Sequence, residues 1–226
     1  MPYYDLTGKI TVIIDVLRAS SVICTALDEG VKSIIPVADL ENAKRYKDNG
    51  YYIAAERKGE KVQGADIGNS PSEFFNRKFE GKSIVLTTSN GTQALKKATN
   101  GVNQVYIGCF LNANKIVETL KNAHHSAILV CAGWRNYFNM EDSLFAGYLA
   151  LHLESHFSLA SDAALGMKSL YEAKQNDFKS YLSQASHAQR LKKLDNQADL
   201  DYCLTPNKHN VLPFYHNGEL IIKNEN

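Results

Sequence analysis

The chain is poor in cysteine, and the four it has are too scattered for a zinc knuckle or a redox pair. Cys24, Cys109, Cys131 and Cys203 form no CxxC spacing. Three lie in apolar stretches, where a free cysteine behaves as a small hydrophobe, so buried free thiols are expected. No window approaches the run of about 18 apolar residues that spans a bilayer. The opening MPYYDLTGKI lacks the basic and apolar blocks of a signal peptide, so the cytoplasm is the expected compartment and a membrane is not an expected partner. Surplus charge is missing as well: 25 Lys and Arg stand against 24 Asp and Glu. Without a global field to hold a polyanion, nucleic acid is excluded as a partner, and any anion specificity must be local. Repeats, low-complexity tracts and Pro- or Ser-rich linkers are absent, so the 226 residues read as one domain, 1–226.

What is present is alternation. The runs KITVIID, SIIPVA, YYIAAE, SIVLTTS, QVYIGCF and SAILVCAG have the apolar, β-branched character of buried strands. Helical spacing fills the segments 19–29, 39–49, 91–100 and 112–123 between them, which predicts a three-layer α/β/α sandwich around a mostly parallel mixed sheet. Further helices are expected from Glu141 to about Leu194. The polar stretch SQASHAQRLKKLDNQADLDYC reads as a cap on one sheet edge, and VLPFY and ELIIKN flank an Asn-Gly turn.

In such sheets ligands sit beyond the carboxyl ends of the strands, and those ends are polar here. Asp15, Arg18, Ser20 and Ser21 follow the first strand at a helix entry, where N–H groups and the dipole favour anions. Glu56 and Arg57 follow the third, ahead of a turn-rich loop holding Asp66, Asn69 and Ser70. The fourth ends in TTSNGT, with Asn90, Gly91 and Thr92 opening a helix, and the sixth in CAGWR, with Glu141-Asp142 in the next helical turn. Either acid alone would merely complement a helix dipole. With the other polar strand ends they become candidate metal ligands.

Spacing also removes several chemistries. TTSNGT is not a Walker A loop. Cys131 and Arg135 are too close for a cysteine phosphatase, and Asp15 lacks the second Asp of the aspartyl-phosphate hydrolases. The HLESH around His152 and His156 is not the HExxH of a zinc protease.

The segments IDVLRASS (14–21), AERKGEKVQGADIGNSP (55–71), TTSNGT (87–92), CAG (131–133) and EDSLFAG (141–147) resemble, in order and spacing, the 2-phosphosulfolactate phosphatases of coenzyme M biosynthesis. Weaker echoes continue in SHAQRL (186–191) and DLDYC (199–203). Ala55, Ala65 and Ser89 depart from the family pattern without removing a charged group. The resemblance implies Mg²⁺-dependent hydrolysis of (2R)-2-phospho-3-sulfolactate to sulfolactate and phosphate.

Both readings favour a small, doubly anionic phosphorylated substrate. Mg²⁺ prefers carboxylates, waters and substrate phosphate, which makes Asp15, Asp66, Glu141 and Asp142 the candidate metal ligands. Asp15, Arg18, Glu56 and Arg57 are the candidate catalytic groups, since guanidinium forks fit phosphate. Ser20, Ser21, Asn69, Ser70, Asn90, Gly91 and Thr92 are the candidate substrate contacts. Water and Asp15 both stay open as nucleophile, and a homodimer is left open. A non-catalytic binder of an anionic metabolite is the alternative; it would need the arginines but not the spare carboxylates. A nucleotide-binding or structural module is the third reading, disfavoured by the missing phosphate loop.

Overall fold

The computed structural model describes residues 5–57, 59–88, 94, 95, 98, 101–135, 137–194 and 196–223. Its strands are β1 (Ile10–Ile14), β2 (Ser33–Pro36), β3 (Tyr52–Arg57), β4 (Glu60–Lys61), β5 (Ser83–Thr87), β6 (Gln104–Gly108), β7 (Ala127–Cys131), β8 (Pro213–His216) and β9 (Glu219–Ile222). Its described helices are α1 (Ala19–Asp28), α2 (Leu40–Lys47), α3 (Ala113–Lys121), α4 (Met140–Leu153), α5 (Asp162–Lys174), α6 (Phe178–Ser183), α7 (Ser186–Lys193) and α8 (Gln197–Cys203). None is long and apolar enough to cross a membrane.

The sheet is mixed, in the order β4-β3-β5-β2-β9-β8-β6-β1-β7. Six strands form two parallel blocks, β3-β5-β2 and β6-β1-β7. The antiparallel hairpin β8–β9 bridges them by pairing β9 with β2 and β8 with β6. That hairpin closes through Asn217 and Gly218 at φ 48° and 91°, the left-handed pair its tight turn demands.

Successive strand side chains point to opposite faces, and the core divides accordingly. Ile13 joins Ile34, Ile84 and Ile107 beneath Val22, Ala26 and Leu27 of α1. Its neighbours Val12 and Ile14 turn the other way, onto Ile116 of α3 and Leu144 and Phe145 of α4. At the far end Ile35, Ile53 and Val85 lie under Ala43 of α2. Helices therefore cover both faces, and β1, fully buried along its length, delivers its carboxyl end into the interior.

Two glycines, in the CAG and EDSLFAG segments, have steric reasons. A Cβ on Gly147 would lie 2.1 Å from the Met167 carbonyl oxygen, so only glycine lets α4 and α5 approach this closely. Gly133 sits at φ +66°, and a Cβ there would lie 2.4 Å from the Tyr137 carbonyl oxygen. It folds the β7–α4 loop back on itself, with Trp134 and Tyr137 exchanging backbone hydrogen bonds of 3.0 and 2.9 Å.

Candidate active site

The site is built where β1, β7 and the helices after them meet. Asp142, in the first turn of α4, is buried with both oxygens engaged. Oδ1 accepts from Val16 N–H at 2.8 Å; Oδ2 accepts from Gly133 N–H at 3.1 Å and Asn139 Nδ2 at 2.9 Å. Asp142 thus ties the ends of β1 and β7 to the start of α4. Glu141, also buried, accepts at Oε1 from Asn139 Nδ2 at 3.1 Å and lies 2.8 Å from His187 Nδ1 of α7. Its Oε2 and the Asn139 Oδ1 are buried acceptors without a partner among the described residues.

Asp15 completes the acidic group. Burial raises its carboxyl to about 6, with Glu141 and Glu56 pushing the same way and His187 and the Ala19 amide opposing. Asp142 is driven well above the ordinary range by burial and then by Asp15 and Glu141. Three carboxylates crowded into a dry volume repel one another, an arrangement that a cation relieves. A cavity of about 20 Å³, room for about one water, lies beside Asp15 and Thr88.

Arg18 is buried and ion-paired with Asp199 of α8, and it donates a 3.4 Å bond to the Gly59 carbonyl in the β3–β4 turn. Asp199 also accepts from Ser70 Oγ at 2.7 Å. Glu56 accepts from Gly59 N–H and, at 3.4 Å, from Asn69 Nδ2, whose Oδ1 is a further buried acceptor without a partner. The β3–β4 turn, the GNSP loop and α8 are in this way fastened around Arg18.

Asp15, Arg18, Glu56, Asn69, Ser70, Glu141 and Asp142 thus form one connected group of contacts and fields. The other expected site residues make separate contacts. Asp66 sits at the beginning of β3, accepting from Ile53 N–H at 2.9 Å and pairing with Lys47 at 3.0 Å. Ser20 and Ser21 lie in the first turn of α1. Both are buried, with Ser20 Oγ accepting from Asp15 N–H at 2.9 Å and Ser21 Oγ donating to the Val16 carbonyl at 2.8 Å, so their hydroxyls serve the β1–α1 corner. The first amides of α1 are not open to an anion either, because Ala19 N–H and Ser20 N–H donate to Asp15 itself, at 3.3 and 2.8 Å. Arg57 braces β3 against β5, donating to the Glu56 carbonyl at 2.7 Å and to Thr87 Oγ1 at 3.1 Å. Asn90, Gly91 and Thr92 lie outside the described residues.

The polar stretch expected to cap the sheet edge instead supplies three site groups: His187 and Arg190 on α7, and Asp199 on α8. Asn139 and Trp134 join them from the β7–α4 loop. The signal was present in the SHAQRL and DLDYC echoes, whose charged residues have no reason to recur on a solvated cap.

The thiols play no visible part. All four are free, and burial pushes Cys131 and Cys203 above the ordinary thiol range. His152 lies 2.9 Å from the Tyr148 carbonyl and stacks on its ring, while His156 lies 2.8 Å from Ser155 Oγ. Among the described residues no group of three or more His, Cys, Asp and Glu side chains is disposed to hold a metal ion by itself.

Residues 2–218 match the family described as 2-phosphosulpholactate phosphatase. A protein of Caldanaerobacter subterraneus subsp. tengcongensis named probable 2-phosphosulfolactate phosphatase is 36% identical over 219 residues, covering 95% of this chain and 90% of its own. One of Thermotoga maritima with the same name is 37% identical over 222 residues, covering 98% and 96%. Another, of Caldicellulosiruptor saccharolyticus, is 38% identical over 208 residues, covering 88% and 86%. With a match along nearly its whole length, the chain belongs to the 2-phosphosulpholactate phosphatase family.

Proposed function

We propose that this chain is a magnesium-dependent phosphatase that hydrolyses (2R)-2-phospho-3-sulfolactate, or a similar small phosphorylated acid, to the hydroxyacid and phosphate. The observation that carries the reading is the burial of Asp15, Glu141 and Asp142 together, with the buried Arg18 three residues after Asp15. A site that only bound an anion would be weakened by three such acids; a site for an anion plus a cation needs them.

Asp15 and Glu141 are the residues that would hold Mg²⁺. Glu141 has a buried oxygen without a partner, whereas both Asp142 oxygens are engaged by three donors. Mg²⁺ is commonly held by one or two carboxylates and otherwise keeps waters and substrate oxygens, so a complete protein cage is not required. When bound, it would offset the acids and polarise the phosphoryl group. His187 and Asn139 fix the Glu141 carboxylate, and Asp142 fixes the backbone on either side. Arg18, aimed by Asp199, supplies preorganised positive charge to the phosphoryl oxygens as the bond to the leaving oxygen breaks. Water is consumed, and the hydroxyacid and inorganic phosphate leave.

A panel of phosphorylated sulfonates and hydroxyacids, assayed for phosphate release, tests the reading. Turnover of one or more members is expected. Tight binding without release across the panel would replace the phosphatase with the metabolite-binding alternative.

A further inference from the structure

Arg190 is the one guanidinium among Arg18, Arg57 and Arg190 that neither ion-pairs nor hydrogen-bonds within the described residues. Arg18 has Asp199 and Arg57 has Thr87. Arg190 is held by its plane instead: its guanidinium carbon lies 4.3 Å from the centre of the Trp134 ring, on which Arg135 also packs at 4.5 Å. Its Nε is buried without a partner. Arg190 as a whole is part-buried, and an enclosed guanidinium donor without a protein partner is a position that a ligand oxygen can fill. The charges that act on Arg190 are Glu56, Glu141, Arg135 and Arg18, three of which, Glu56, Glu141 and Arg18, belong to the candidate active site.

We propose that Arg190, fixed against Trp134, binds the second acidic group of the substrate and so sets the preference for doubly anionic phosphate esters over singly anionic ones. This assignment rests on the phosphatase reading above. With Arg18 at the phosphoryl end, the substrate still carries a sulfonate or carboxylate that needs neutralising. Guanidinium offers such a group a planar fork of donors, and stacking on an indole orients the fork without using any of them. The neighbouring Glu141 and Glu56 do not cancel this charge by contact. Glu141 contacts Asn139 and His187, and Glu56 contacts Gly59 and Asn69.

The test compares kcat/KM on 2-phospho-3-sulfolactate and on 2-phospholactate, which lacks the sulfonate, for the wild-type enzyme, Arg190→Gln and Arg190→Lys. Arg190→Gln should lose about 10- to 100-fold on the sulfonated ester, mainly through KM, the range expected for losing a hydrogen-bonded charge contact. On phospholactate it should lose less than about threefold. Arg190→Lys should recover part of the sulfonated activity but not the fork. Trp134, the only tryptophan in the chain, supplies a readout independent of turnover: its emission should respond to sulfolactate but not lactate, and the response should vanish in Arg190→Gln. Equal losses on both esters, or no loss on either, would overturn the Arg190 assignment while leaving the phosphatase intact. A wild-type enzyme that hydrolyses neither ester would overturn the phosphatase reading and this assignment with it.

Discussion

Replacing Asp199 by Asn separates the structural work of Arg18 from its chemical work. The two side chains are 7% and 4% exposed, so their pair is fully interior. Asn keeps the volume of Asp199 and its bond to Ser70, but it leaves the guanidinium with only a 3.4 Å contact to the Gly59 carbonyl. Removing one partner of a buried pair costs about 3–5 kcal/mol, because the remaining charge is uncompensated. At about 2–4 °C per kcal/mol for a chain of this size, Tm should fall by roughly 6–20 °C. Ser70→Ala, which removes only a hydroxyl bond to the same carboxylate, should cost about 1–2 kcal/mol. The double variant Arg18→Met with Asp199→Leu buries no charge, so most of the lost stability should return as a coupling energy of about 2–3 kcal/mol. Its turnover should not return. Thermal denaturation read beside phosphate release decides the matter. An Asp199→Asn variant within about 1 kcal/mol of wild type would refute the buried pair, and an active, stable double variant would reduce Arg18 to packing.

Three further outcomes follow from the same geometry. Gly147→Ala should destabilise by about 3 kcal/mol or more, since its Cβ would collide with the Met167 carbonyl; unchanged denaturant midpoints would contradict the α4–α5 contact. Because Asp15 titrates near 6 when folded and near 3.8 otherwise, the folded state holds its proton more tightly, so metal-free stability should decline by about 2 kcal/mol as pH rises from about 4 to 6. A metal-free Tm that climbs through that window, with Asp15→Asn behaving identically, would remove the crowded carboxylate. Cys131→Ser should keep most of the activity, because burial raises the thiol away from the thiolate form. A folded but inactive Cys131→Ser would reopen thiol chemistry.

The strands were legible because their burial on both faces demands uninterrupted apolar, β-branched runs, and the Asn217-Gly218 turn was legible because few residues tolerate positive φ. Glu141 and Asp142 were legible as acids at a helix start after a strand. Which way a loop residue faces was not: Asp66 sits in a turn-rich segment whose composition fits either the Lys47 side or the site side. The bonds of Ser20 and Ser21 within the β1–α1 corner were not legible, because a hydroxyl at a helix start serves a ligand or its own corner equally well. Arg190 and Asp199 were missed because helices as polar as α7 and α8 resemble a solvated face until tertiary packing brings one charged side against Arg18 and Trp134.

The central claim, that the buried acids hold a cation for phosphate-ester hydrolysis, is tested most directly by phosphate release from 2-phospho-3-sulfolactate by chelator-stripped protein as Mg²⁺ is titrated back. Release should be absent in excess EDTA and return saturably with Mg²⁺, and in Glu141→Gln the return should be weaker or need far more metal. Full turnover in excess EDTA, or a Glu141→Gln titration identical to wild type, would contradict the account.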